Sequence, residues 1–233
     1  MEPGEAILAL SAIPVRNSAT GAIATMLAVG TAFPGPDDVP VRGRLLLFEA
    51  TCAPPAGADR APGSPPLPLG YPGQRWSARL AAAVPVRGPV SALCPLEGSH
   101  RGYLLAAAGR DLGVFSWNGV ELRRCALLAR QPPDTKKHPK IHPNPPQPTN
   151  PHPPSPLTQT APHYCVALTS IKNYVLCADA LRGLLFVQWR DVPSTGQQEL
   201  LLLGKTAEEV DCAAAEVLVD GSSLALTAVV RGF

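Results

Sequence analysis

Charge is scarce in this 233-residue chain: Asp, Glu, Lys and Arg make up 16 % of it and aromatic residues only 5 %. With 45 % hydrophobic residues, that poverty of charge excludes a solvated, disordered polyelectrolyte and leaves ample material for a core. No apolar run reaches the roughly 18 residues that a membrane helix needs. Glu2 and Glu5 stand where a secretory leader would be basic. Coiled-coil heptads and collagen triplets are missing as well. The six cysteines are Cys52, Cys94, Cys125, Cys165, Cys177 and Cys212, and no two are closer than twelve residues. The close Cys pair that opens most structural zinc sites is therefore absent. Four of the six sit in apolar runs such as Val175-Leu176-Cys177-Ala178, which predicts reduced, buried thiols and a cytosolic or nuclear compartment.

What the chain has in excess is proline, 28 residues of it. Twelve lie between Pro132 and Pro162 and seven between Pro54 and Pro72, so proline marks segments rather than the whole fold. Residues 53–75 are predicted to be a flexible loop and 132–162 a disordered insert. The net charge of +2 comes from the second stretch. Setting aside its Lys136, Lys137, Lys140 and Asp134 from totals of 20 basic and 18 acidic residues leaves 17 of each sign. A surface that grips nucleic acid directly usually shows a basic excess, and this one is neutral.

Outside those stretches, short apolar runs alternate with turn residues. Fourteen candidate strands follow: Ala6–Ile13, Thr25–Ala32, Arg44–Ala50, Trp76–Ala83, Val90–Cys94, Tyr103–Ala108, Gly113–Trp117, Glu121–Ala129, Tyr164–Leu168, Tyr174–Asp179, Leu184–Trp189, Glu199–Gly204, Cys212–Val219 and Leu224–Val230. Asn118-Gly119 and Asp220-Gly221 are strong hairpin signals; Lys172-Asn173 and Arg182-Gly183 are weaker ones. Ala- and Glu-rich sequence between Ala207 and Ala215 leaves room for one short helix. Unbroken runs such as Leu45-Leu46-Leu47-Phe48 and Leu184-Leu185-Phe186-Val187 fit strands covered on both faces, as in stacked sheets. The fold class expected is all-β, a partial β-propeller of about three to four blades with four antiparallel strands each, incomplete as a stand-alone domain.

Chemistry-bearing motifs are few. His138, His142, His152 and His163 lie in or beside the second proline stretch, where Pro139 and Pro143 forbid a helical ligand pair. Ser91 and Ser116 are not in a Gly-x-Ser-x-Gly turn, and Gly30 to Gly35 has no Gly-Lys-Ser/Thr sequel. Asp179, Asp191 and Asp220 follow strands or begin turns, where Asp bonds local backbone. Trp76, Trp117 and Trp189 read as packing anchors between blades. Arg42 and Arg44 flank Gly43 and are the candidate contact for a partner carboxylate or a phosphate, against the plainer reading of a solvent-facing strand edge. No catalytic, cofactor or metal site is expected.

Several stretches occur in a telling order: Val29-Gly30-Thr31, then Val41-Arg42-Gly43-Arg44-Leu45-Leu46-Leu47-Phe48, then Arg87-Gly88-Pro89-Val90-Ser91-Ala92-Leu93-Cys94, Phe115-Ser116-Trp117-Asn118, and Ser170-Ile171-Lys172-Asn173-Tyr174-Val175-Leu176-Cys177-Ala178-Asp179. The set resembles the C-terminal propeller region of the family formed by the large subunit of the cleavage and polyadenylation specificity factor, the damaged-DNA-binding adaptor of ubiquitin ligases and a splicing-factor subunit. Arg-Gly-Arg, Gly-Pro-Val-Ser-Ala-Leu-Cys and Ser-Ile-Lys-Asn look nearest to the polyadenylation branch. That resemblance implies a non-enzymatic nuclear scaffold that holds RNA-recognising subunits of the polyadenylation machinery and meets pre-mRNA mainly indirectly. It implies no cofactor, membrane or small-molecule substrate. The alternative within the family is the propeller adaptor of a ubiquitin ligase. A propeller enzyme would need a polar cluster at the central channel, and the sequence offers none.

The second proline stretch excises cleanly. Without 132–162, the strand through Gln131 runs straight into His163-Tyr164-Cys165-Val166, and the joined length is what the resemblance expects. Two origins stay open, a natural loop and an intron retained in the reading frame. Sequencing the mature transcript separates them, because a message that keeps these codons rejects the intron. On either origin, deleting 132–162 is expected to leave folding neutral or slightly favoured, since closing such a loop costs about 2 kcal/mol more than closing a short one. Loss of soluble, folded protein on deletion would contradict this.

Overall fold

The computed structural model describes residues 2–34, 40–53, 75–97, 102–128, 164–192, 197–207, 210–220 and 223–230. The bodies of both proline-rich stretches, and with them all four of those histidines, lie outside the described residues.

Among the described residues, fourteen strands make up the regular structure. They are β1 (Ala6–Arg16), β2 (Ile23–Pro34), β3 (Pro40–Ala53), β4 (Arg75–Arg87), β5 (Val90–Pro95), β6 (Leu104–Ala108), β7 (Asp111–Trp117), β8 (Leu122–Leu128), β9 (Cys165–Ile171), β10 (Tyr174–Asp179), β11 (Gly183–Asp191), β12 (Gln198–Lys205), β13 (Cys212–Asp220) and β14 (Ser223–Val230). They form three antiparallel meanders of four strands, β1–β4, β5–β8 and β9–β12, and a two-stranded hairpin, β13–β14. These are three propeller blades and half of a fourth. The expected all-β class, the strand positions and the four-strand grouping hold; the described residues contain no helix and close no ring.

Turn chemistry sets the hairpins. Asn118 Oδ1 accepts from the backbone N–H of Val120 (2.9 Å) and Glu121 (2.8 Å), which holds the β7–β8 turn. Buried Asp179 does the same between β10 and β11, accepting from Leu181 N and Arg182 N through Oδ1 and from Tyr164 N through Oδ2. Its role is structural, as its place after a strand predicts.

Blade packing follows from the two-residue period of a strand. In β6, Leu104, Ala106 and Ala108 face blade 1, whereas Leu105 and Ala107 face blade 3. All five are at most 6 % exposed. The core between blades 1 and 2 gathers Ile13, Met26, Leu45 and Leu47 against Val90, Phe115 and Trp117. The core between blades 2 and 3 gathers Leu112, Val114 and Leu128 against Val175, Val187 and Trp189. Polar bonds add register: Ser91 Oγ donates to Cys165 O (2.5 Å) and Ser170 Oγ to Pro95 O (2.6 Å), tying β5 to β9. Gly30 is where β2 approaches β5, and a Cβ there would lie 2.5 Å from Val90 Cγ1.

Two expectations change, and one open option falls away. Cys212–Asp220 forms strand β13, as the candidate strand Cys212–Val219 anticipates, and pairs with β14 from Cys212↔Val230 onward; the described residues between Ala207 and Ala215 hold no helix. Trp117 and Trp189 do anchor blade interfaces, but Trp76 is 56 % exposed. It lies in the first half of β4, where Arg75 to Leu80 all face solvent. β3 and β4 also run further than their apolar cores indicate, pairing from Arg42↔Arg87 to Ala53↔Arg75. Ladder hydrogen bonds continue there without a buried face, so hydrophobicity does not mark the ends. Cys94, Cys165, Cys177 and Cys212 are buried thiols as expected, with Cys52 exposed.

Candidate interaction surface at Arg42 and Arg44

Alternation along β3 puts Arg42, Arg44 and Leu46 on the face of blade 1 that points away from blade 2. Gly43 between the arginines turns toward backbone: a Cβ there would collide with the carbonyl oxygen of Thr31 and lie 2.7 Å from that of Gly88. The Arg-Gly-Arg pattern is therefore a packing requirement at its centre and a pair of cations at its flanks.

The two cations have different fates. Arg44 is drawn inward. Its Nε donates to Glu5 Oε1 at 2.8 Å, Nη2 to Glu5 Oε2 at 2.5 Å and Nη1 to Glu2 Oε1 at 2.7 Å. Thr31, fully buried, donates to Glu5 Oε1 at 2.7 Å and accepts from Arg44 N at 3.0 Å. Glu2 N adds a bond to Glu5 Oε2 at 2.9 Å. The Glu5 side chain has no solvent exposure. Hydrogen bonding from Arg44 is the largest influence on its carboxyl and, with Thr31 and the Glu2 backbone, outweighs burial and lowers its pKa from 4.5 to about 2. The same contact raises the pKa of Arg44 above its ordinary value. Arg42 instead stays exposed, its guanidinium 4.4 Å from the centroid of the Phe33 ring. Nothing here resembles a metal site: no cluster of three metal-ligating side chains occurs among the described residues.

The sequence singled out both arginines but not Glu5, whose partner lies 39 positions away. Its only sequence signal is an acidic residue directly before an apolar strand.

Comparison with known proteins places the chain in a family. The family model for the CPSF A subunit region matches residues 1–132. The chain belongs to the CPSF A subunit region family. The match covers β1 to β8 and stops where the second proline stretch begins. Similarity to two curated relatives extends over nearly the whole chain. "Cleavage and polyadenylation specificity factor subunit 1" of Arabidopsis thaliana is 27 % identical over 229 residues, 97 % of this chain and 12 % of that protein. "Probable cleavage and polyadenylation specificity factor subunit 1" of Oryza sativa subsp. japonica is 28 % identical over 231 residues, 98 % of this chain and again 12 % of the relative. The chain thus spans about an eighth of the length of these CPSF relatives.

The Glu5 carboxylate gives this CPSF A region an acid-sensitive joint. A carboxyl whose folded pKa lies below its unfolded value stabilises the fold above the unfolded pKa and ceases to do so as pH falls through the folded one. Stability is expected to fall from pH 4.5 toward about 2 as Glu5 protonates. Glu5→Gln should cost about 1–3 kcal/mol near neutrality and flatten the acid limb of urea midpoints plotted against pH. Arg42→Ala should cost less than about 1 kcal/mol. An unchanged acid limb in Glu5→Gln would show that the ion pair carries no such share.

Proposed function

We propose that this chain is a non-catalytic scaffold segment of the nuclear machinery that cleaves and polyadenylates pre-mRNA, and that it works by holding other subunits. The observation that carries the reading is the named similarity to specificity-factor subunits over nearly the whole chain. The site geometry agrees with it. The buried polar side chains among the described residues are Glu5, Thr31 and Asp179, and each is bonded within the fold. Exposed apolar side chains such as Ile7, Leu10 and Val229 suit protein partners. Both relatives bear polyadenylation names, so that branch of the family is favoured over the ubiquitin-ligase adaptor.

Within this reading the two proline-rich stretches, 53–75 and 132–162, are interruptions of a continuous run of blades. Arg42 is the better partner contact of the two arginines. Arg44 already satisfies two carboxylates, whereas Arg42 is exposed, with its guanidinium over the Phe33 ring. An acidic side chain on a neighbouring subunit is the fitting counterpart.

RNA is met mainly through those neighbours. Titrating the chain with single-stranded RNA that carries a polyadenylation signal, and with a scrambled control, is expected to give equal, salt-sensitive binding with dissociation constants of about 10⁻⁴–10⁻⁶ M. Tight binding that distinguishes the two RNAs at physiological salt would overturn the indirect role.

A further inference from the structure

Strands β3 and β4, of 14 and 13 residues, outrun β7 and β8 of the next blade, of 7 residues each. Their ladder continues past buried Ala82 to Ala53↔Arg75. The excess is a two-stranded ribbon that stands beyond the core between blades 1 and 2. Alternation keeps Glu49, like Leu45 and Leu47, on the side facing blade 2, and Arg79 pairs with it across the ladder. The β7–β8 turn rises opposite. Its base is tied to the end of β1, where Ser18 N donates to Trp117 O at 2.7 Å.

Between ribbon and turn lies a cavity of about 450 Å³, the size of a ligand site. Val15, Met26 and Trp117 line its floor, Glu49 and Arg79 stand on one side and Val120 on the other. Both sides belong to blades 1 and 2, which already cover each other here, so the cavity is not an uncovered blade face. Gly119 keeps it open at the turn: its φ is +96°, and a Cβ there would lie 2.6 Å from Asn17 Nδ2. The mouth is both apolar and charged. Val120 is 80 % exposed. The side chain of Arg79 is 79 % exposed, against 47 % for Glu49. Arg79 Nη2 donates to Glu49 Oε2 at 2.5 Å, and a guanidinium has four further N–H donors to offer. An incoming ion meets Arg79 before Glu49, which favours a carboxylate over an ammonium group.

We propose that this cavity docks a linear peptide of another protein, in which one large apolar side chain fills the space over Met26 and Trp117 and an adjacent Asp or Glu meets Arg79. Burial of the apolar side chain takes Val120 out of water and supplies most of the affinity. The carboxylate contact is exposed and supplies selectivity more than strength. The site deepens the scaffold reading and rests on it only for the occupant being a protein.

Met1 and Met26 are the only methionines, so methyl-labelled methionine gives one NMR signal from the cavity floor. The intact chain is titrated with the end-blocked peptides Gly-Phe-Asp-Gly and Gly-Phe-Asn-Gly. The expected result is a saturable shift of the Met26 methyl at millimolar peptide, with the Asn peptide about three- to fivefold weaker. Arg79→Gln should erase the difference between the two peptides while leaving the urea midpoint unchanged, which separates lost recognition from lost folding. Ala24→Phe, which fills the cavity from β2, should abolish the shift. An unmoved Met26 methyl, or equal affinity for both peptides, would overturn the proposal. A Met26 signal that moves with the concentration of the chain itself would also overturn it, in favour of a second copy, and one moved by single-stranded RNA would do so in favour of a nucleic acid. Peptide binding is read apart from the RNA titration above, so either reading can fail without the other.

Discussion

Everything in this structure depends on sheets that are apolar on both faces. A sheet with one wet face can end a fold, but blade 2 has none: neighbouring residues of β6 enter opposite cores, and each is buried. A strand of this kind cannot be solvated on either side, so it demands a sheet above and a sheet below. Stacking then propagates. Blade 1 and blade 3 exist in their observed positions because they cover blade 2, and the hairpin β13–β14 covers blade 3 in turn. Alanine is frequent in these rows, and its small side chain lets the sheets approach closely, as Gly30 does against Val90.

Polar chemistry is subordinate to that stacking. The Glu5–Arg44–Thr31 cluster closes one end of blade 1 by joining the residue before β1 to β2 and β3. The buried Glu5 carboxylate is bonded by Arg44, Thr31 and the Glu2 backbone, which is the condition under which a buried charge is tolerable. Asp179 closes the turn between β10 and β11 by the same logic. The charges of Glu5, Arg44 and Asp179 are thus spent within the fold, at strand ends and turns.

Much of this was legible in the residues. The fourteen strands could be placed because apolar runs and turn pairs such as Asn118-Gly119 report local periodicity. Grouping by four followed from counting. What escaped was non-local. Alanine-rich sequence left a short helix open beside the strand expected at Cys212–Val219, and pairing with β14 decides for the strand. Trp76 looked like an anchor because tryptophan usually is one, yet it sits past the covered part of its sheet. Of the two arginines, the sequence could not say which was inward, since the deciding carboxylate is 39 residues distant. Gly43 stood in the sequence only as the residue between two arginines; its role, clearing two backbone carbonyls, appears only in three dimensions.

The central claim is that blade 2 is packed equally on both faces, and two adjacent leucines test it. Leu104 faces blade 1 and Leu105 faces blade 3, both with no exposure. Urea unfolding of Leu104→Ala and Leu105→Ala should show losses of about 2–5 kcal/mol for each. If one of the two substitutions costs less than about 1 kcal/mol, that face of blade 2 is open to water, and the stacked-blade account is wrong.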